Sequence, residues 1–257
     1  MTILCYHSVD ACWDHPLAVT PPALAEQAAW LSRSRRVLPL SEAIPRLDAS
    51  GRLPRGEAAL TFDDGFADMY TEALPVLTRL KLPATMFLVA ATLTPEGKAV
   101  DWVRASGNEQ LRTLTLDQVL EMQDAGVDFQ SHSWAHRDLI DLSFDECVRD
   151  LRESRELLSD LLGRSIPLLA YPRGLHDEHV RRAAELAGYT HAFALPEQAE
   201  EPGPYAVPRV GIFRGNGLLT TRMKASRAYL PLRHSAGTAR GARRVKQLAR
   251  DLRPSRS

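Results

Sequence analysis

Short apolar runs alternate along this chain with longer stretches in which apolar residues recur every three or four positions, the pattern of strands separated by helices. Ala58 to Phe62, Ala84 to Val89, Val127 to Ser131, Pro167 to Tyr171 and Tyr189 to Leu195 read as strands, and Met1 to His7 begins as another. The helical stretches between them carry start and stop signals. Thr20 followed by Pro21 and Pro22 opens an amphipathic helix through Trp30 and Leu31, and Ser41 caps a second short one near Ile44. Met69, Leu74, Val76 and Leu77 mark a third. Thr115 and Gln118 have the capping-box form before Val119, Leu120 and Met122, and Gly126 closes that helix. Ser143 and Glu146 repeat the device before a long helix that ends at Gly163, and a further helix runs from about Asp177 to Leu186. Thr92 to Arg112 lacks such periodicity and reads as an insertion above the strand ends. Repeated βα units of this length predict an α/β fold with a parallel sheet or an incomplete β/α barrel.

Composition narrows this picture only slightly. The 257 residues suffice for one large α/β domain, and 32 basic against 32 acidic side chains give no overall field toward nucleic acid. The balance conceals an asymmetry, because from Arg222 onward Lys and Arg recur through Arg256 while Asp251 is the only acid. The chain therefore divides into residues 1–215, with the βα pattern, and a basic carboxy-terminal extension, 216–257. That extension is expected to be a solvated tail or a contact for an anionic membrane surface; no specific nucleic acid is expected. Cys5, Cys12 and Cys147 are odd in number and lack CxxC spacing, so reduced, buried thiols are expected. Met1 to His7 has neither a cationic leader region nor a long apolar one, and no apolar run approaches the roughly 18 residues of a spanning helix. A cytoplasmic location, peripheral at the inner face of the membrane, is the expectation.

Two short segments carry the candidate chemistry. Thr61-Phe62-Asp63-Asp64-Gly65 follows one strand and His132-Ser133-Trp134-Ala135-His136 follows another, so both emerge at carboxyl ends of strands, where parallel α/β folds place their sites. Imidazoles four residues apart share one face of a helix or helical turn, and a carboxylate from a strand end completes a metal site of two His and one acid. One aspartate is then left over, placed to take a proton from water beside the cation. The pattern reads as a metal-assisted hydrolase. The same ligand set describes non-haem iron oxygenases, against which the spare aspartate argues.

The chain resembles the polysaccharide deacetylases of the NodB-homology group. Its first motif stands whole at Thr61 to Gly65 and its second at His132 to His136, while Leu82 to Leu88 and Leu114 to Gly126 resemble the intervening strand and helix. The resemblance covers roughly residues 3–213 and implies a deformed (β/α)7 barrel of parallel strands that removes N-acetyl groups from amino sugars with a divalent metal, most often zinc. By that resemblance Asp63 is the general base, and Asp64, His132 and His136 are the metal ligands. The third motif departs from the family's form. Ala170-Tyr171-Pro172-Arg173-Gly174 has Ala170 where the Arg that orients the base would lie, while the backbone N–H of Arg173 remains available as an oxyanion donor. The fourth-motif aspartate and tryptophan have no clear counterpart, and no L-x-H follows Val207-Pro208-Arg209-Val210. Tyr6-His7-Ser8-Val9 resembles the YH motif of the poly-N-acetylglucosamine deacetylase branch, which makes His7 the general acid; His176 and His179 are the alternatives. The expected substrate is an N-acetylated poly-, oligo- or lipid-linked saccharide. Hydrolysis of small linear or cyclic amides on the same fold, or non-catalytic carbohydrate binding, are the competing expectations.

Overall fold

The structure, a computed structural model, describes residues 2–50, 54–104, 111–196 and 200–234. Its strands in chain order are β1 (Ile3–Tyr6), β2 (Ser8–Val9), β3 (Ala18–Val19), β4 (Arg36–Val37), β5 (Glu57–Phe62), β6 (Thr85–Leu88), β7 (Asp128–Ser131), β8 (Leu168–Ala170), β9 (His191–Ala194), β10 (Val207–Pro208) and β11 (Val210–Gly211). The helices are α1 (Pro21–Ser34), α2 (Leu40–Ser50), α3 (Leu74–Leu80), α4 (Leu116–Asp124), α5 (Phe144–Leu162), α6 (Glu178–Leu186), α7 (Leu218–Lys224) and α8 (Tyr229–His234). Three of the capping signals act as the sequence predicts, whereas Ser41 lies within α2, whose first amides donate to the Pro39 carbonyl. Thr20 accepts from the Ala23 amide, and Thr115 with Gln118 and Ser143 with Glu146 form reciprocal capping boxes.

The strand order β10-β9-β8-β7-β6-β5-β1-β11 is parallel throughout, and its two ends are consecutive in sequence. Val207 and Pro208 pair with β9, Val210 and Gly211 pair with β1, and only Arg209 lies between. One five-residue segment therefore closes the sheet on itself. Counted with β1, β5, β6, β7, β8 and β9, it is the seventh stave of a deformed (β/α)7 barrel.

Alternation along the strands decides what faces inward. Leu4, Tyr6, Leu60, Phe62, Met86 and Leu88 belong to the large core against the outer helices. Ile3, Ala59, Phe87, Ala170 and Phe193 form a separate cluster that α2 closes from one end with Leu40, Ala43 and Leu47. Polar residues on the inner face therefore collect at the opposite, carboxyl ends of the strands.

Several elements differ from the sequence reading. Met69–Ala73 is a π-helical turn leading into α3. The short strands β2, β3, β4, β10 and β11 have too few residues to show a period. Cys5 and Cys147 are buried, but Cys12 is exposed, on the turn that follows Asp10. The basic extension begins as two helices held against the barrel. The Thr2 hydroxyl donates to the Ala225 carbonyl at 2.8 Å, and Lys224 donates to the Gly211 carbonyl at 2.8 Å and to Asn216 Oδ1 at 2.7 Å. The remaining basic stretch, Arg240 to Arg256, lies outside the described residues. No described helix is long and apolar enough to cross a membrane.

The turn after β8 is fixed by Gly174. Its φ is +69°, and an added Cβ would lie 2.4 Å from the Leu195 amide nitrogen. Gly174→Ala is expected to cost about 2 kcal/mol or more through backbone strain and overlap. Thermal unfolding checks this, and an unchanged Tm would contradict the close approach.

Candidate active site

Asp63 and Asp64 leave the end of β5 in opposite directions. Asp64 has φ +72° and Gly65 φ +64°, so the chain turns sharply after the first carboxylate, and a Cβ on Gly65 would meet Leu88 Cδ2 at 2.7 Å. The turn separates the two acids and gives them different partners.

Asp63 is paired with Arg209. Nη1 donates to Oδ1 and Nη2 to Oδ2, both at 2.7 Å, and Nη1 also reaches Thr61 Oγ1 at 3.2 Å. Both residues are buried, at 1% exposure each. The guanidinium lies 5.2 Å from the Phe87 ring centroid and 6.0 Å from that of Phe193. Burial alone would raise the Asp63 carboxyl; the Arg209 charge outweighs it and holds the pKa below the ordinary aspartate value. Where the third motif has Ala170, the barrel-closing segment brings Arg209 onto Asp63 instead. Its signal in the sequence was a single cation inside the apolar run Ala206 to Ile212, a position where a charge is buried only when paired.

Asp64 faces the histidines. Its Oδ1 lies 3.2 Å from His136 Nε2 and 3.5 Å from His132 Nε2. The histidine segment is not helical, contrary to the spacing argument. Ser133 and His136 take φ of +69° and +55°, so the chain bends and brings the two rings together edge to face, 4.9 Å apart. This bend is built by neighbours. Asp150 on α5 accepts the Trp134 amide at 2.8 Å, Ser133 Oγ accepts the His136 amide at 3.1 Å, and the Ala90 and Ala91 amides donate to the Ser133 and Trp134 carbonyls.

These residues fit a cation. The Nδ1–H of His132 donates to the Ala170 carbonyl at 2.8 Å, which leaves the Nε2 lone pair facing Asp64. Asp64 Oδ1 is buried and without a hydrogen-bond donor among the described residues. A buried acceptor oxygen facing an acceptor nitrogen is stable only with a cation between them. Asp64, His132 and His136 offer ligand atoms all within 4.8 Å of one another. Burial works against the charge of Asp64, yet the two imidazoles hold its carboxyl well below the ordinary range. Burial likewise lowers the His136 pKa, while at His132 the charges of Asp63 and Asp64 overcome it.

Of the three histidines considered as acid, only His7 joins this cluster. One of its nitrogens, Asp63 and the Cys5 thiol lie within 4.8 Å of one another, and Cys5 Sγ donates to Asp63 Oδ2 at 3.3 Å. Burial lowers the His7 pKa against the pull of Asp64 and Asp63, and Nδ1 has no hydrogen-bond partner among the described residues. His176 instead stacks on Tyr171 at 4.9 Å and meets Glu200 at 3.2 Å, and His179 packs edge-on against Phe144 on the outer helices. Arg173 has φ +59° in the turn after β8. Its side chain donates to Asp138 Oδ1 at 2.8 Å and to the Trp102 carbonyl at 3.1 Å, which fixes Trp102 over the His136 ring at 5.0 Å. The insertion read from the sequence therefore walls the site.

Comparison with known proteins agrees with this arrangement. A sequence profile of the family described as polysaccharide deacetylase matches residues 50–192, more than half of the chain. A poly-beta-1,6-N-acetyl-D-glucosamine N-deacetylase of Staphylococcus epidermidis is 27% identical over 205 residues, covering 75% of this chain and 67% of that protein. The fold is shared with the Streptococcus pyogenes deacetylase PplD, solved with acetate, at a TM-score of 0.75, 24% identity and coverage of 88% of this chain and 98% of that one. It is shared also with IcaB from Ammonifex degensii, at a TM-score of 0.72, 22% identity and coverage of 88% and 97%. With both motif segments converging at one mouth of a seven-stave barrel and the family profile running through them, the chain belongs to the polysaccharide deacetylase family.

Proposed function

We propose that this protein hydrolyses the N-acetyl group of an amino sugar in a poly-, oligo- or lipid-linked saccharide, releasing acetate with the aid of a divalent metal, zinc by preference. The observation that carries this reading is the division of labour within the aspartate pair. Asp64 faces two imidazoles, whereas Asp63, at the same site, is held by Arg209 and kept off them.

In this reading Asp64, His132 and His136 hold the cation, which when bound supplies Lewis acidity to water and to the acetamide carbonyl. Asp63 is the general base. Its carboxylate is ionised by the Arg209 charge, and Arg209 fixes the plane in which its oxygens accept a proton from water. His7 gives a proton to the departing amine, and the negative charge that develops on the acetamide oxygen beside it favours its charged form. The Arg173 amide donates to that oxygen. The naming of the staphylococcal relative as a poly-beta-1,6-N-acetyl-D-glucosamine N-deacetylase supports an amino-sugar substrate.

Three outcomes test the assignment. Asp64→Asn and His132→Ala should lose bound zinc and acetate release together, while Asp63→Asn keeps zinc and loses turnover. Metal analysis beside an acetate assay on N-acetylglucosamine oligomers separates them; equal metal loss in all three variants would contradict the division of roles, and loss in Asp63→Asn with retention in Asp64→Asn would reverse it. His7→Ala should retain zinc with kcat lowered by roughly 10²- to 10⁴-fold, whereas His176→Ala and His179→Ala stay near wild type; the opposite ranking moves the acid to the third-motif side. Arg209→Met leaves the Asp63 carboxylate buried without its partner, so a stability loss of about 3 kcal/mol is expected in denaturant unfolding, and a neutral effect would show that the pair is not what holds Asp63.

A further inference from the structure

One histidine on the loop that follows His7 and β2 has no part in the proposed chemistry. His15 lies on the loop between β2 and β3, and that loop is built rigidly. Asp10 Oδ1 accepts the Cys12 and Trp13 amides at 2.6 and 2.9 Å. Arg214 donates to the carbonyls of Asp10, Ala11, Trp13 and Ala18, and its Nε meets Asp14 Oδ1 at 3.0 Å. The loop is therefore pinned to the segment that follows the barrel-closing strand.

An aromatic stack leads from the loop to the aspartates. Phe66 follows Asp63-Asp64-Gly65, and Trp13 packs edge-on against it at 5.5 Å. The His15 ring lies flat on Trp13, 4.5 Å between centroids and 5° from parallel. Trp13 is buried at 4% exposure, while His15 is only half-buried and forms the outer layer of the stack. Its Nδ1 accepts the Leu17 amide at 3.3 Å, which places the proton of the neutral ring on Nε2. Burial lowers the His15 pKa, with the His7 charge acting in the same direction and Asp64 against it, which favours the neutral ring. Nε2 makes no hydrogen bond among the described residues. A fixed N–H donor at the outer end of a stack that reaches Phe66, the residue after the Asp63-Asp64-Gly65 turn, and outside the cluster that contains Asp63, suits an uncharged acceptor such as a sugar hydroxyl.

We infer that His15 is a substrate-positioning residue, whose Nε2–H binds a hydroxyl of the amino sugar that presents its acetamide to Asp63 and His7. This rests on the amino-sugar reading above. A hydrogen bond to an uncharged group already formed in the ground state strengthens binding and leaves the chemical step alone.

The test compares two amide replacements on two substrates. His15→Asn keeps an acceptor near the Nδ1 position for Leu17 and removes the Nε2 donor; His15→Gln places an amide N–H near Nε2. With zinc-loaded protein and N-acetylglucosamine oligomers, H15N should raise KM roughly three- to tenfold at nearly constant kcat. H15Q should recover most of that loss. With 4-nitrophenyl acetate, an acetyl ester with no sugar ring, both variants should match wild type. Equal losses on ester and oligomer in H15N would make His15 part of the chemistry or of the fold and overturn the proposal, as would an unchanged KM for the oligomer. Wild-type protein that cleaves the ester but no oligomer would overturn the amino-sugar reading and this inference with it.

Discussion

The ion pair between Asp63 and Arg209 sits inside the barrel with almost no exposure, and both the fold and the site depend on it. Two charges taken out of water lose solvation worth several kcal/mol each, which their attraction offsets only in good geometry. Here the geometry is bidentate, the guanidinium packs beside Phe87 and Phe193, and Thr61 takes a further hydrogen bond. Arg209 is also the residue between β10 and β11, where the chain passes from pairing with β9 to pairing with β1. Its amide donates to the Ala194 carbonyl at 3.0 Å while its side chain crosses the lumen to β5. Closing the barrel and orienting the carboxylate are thus one structural event.

That arrangement explains how neighbouring aspartates do different work. Adjacent carboxylates repel, and each needs its own source of positive charge to remain ionised. Positive φ at Asp64 and Gly65 turns one toward the histidines, and Arg209 retains the other. The histidines are fixed in turn by groups that are not ligands. The Ala170 carbonyl sets the His132 tautomer, and Asp150 and Ser133 hold the bend that presents His136. Ala170, the last residue of β8, has no polar side chain, so that strand serves the site through its backbone carbonyl.

Local signals in the sequence were reliable where the physics is local. Thr115 with Gln118 and Ser143 with Glu146 satisfy helix ends within four residues, and they start α4 and α5 where they predict. Of the strands carrying the two motifs, β5 was legible from the apolar run Ala58 to Leu60 and β7 from the alternation of Val127 and Phe129 after the helix stop at Gly126. What escaped depends on contacts distant in sequence. Arg209 meets a partner 146 positions away from a segment of two-residue strands, too short to show a period. A helical reading of His132 to His136 followed from spacing, but Asp150 and the amides after β6 hold the chain in a bend. His15 gave no local sign at all, since only the Trp13–Phe66 stack carries it to the site.

A double-mutant cycle on Asp63 and Arg209, read as kcat/KM for acetate release from N-acetylglucosamine oligomers, tests the central claim most directly. If Arg209 acts on catalysis through Asp63, removing the arginine from Asp63→Asn should cost almost nothing further, giving a coupling energy close to the whole effect of Arg209→Met alone. Additive losses would mean that Arg209 and Asp63 contribute separately, and would contradict the account of a base positioned by the strand that closes the barrel.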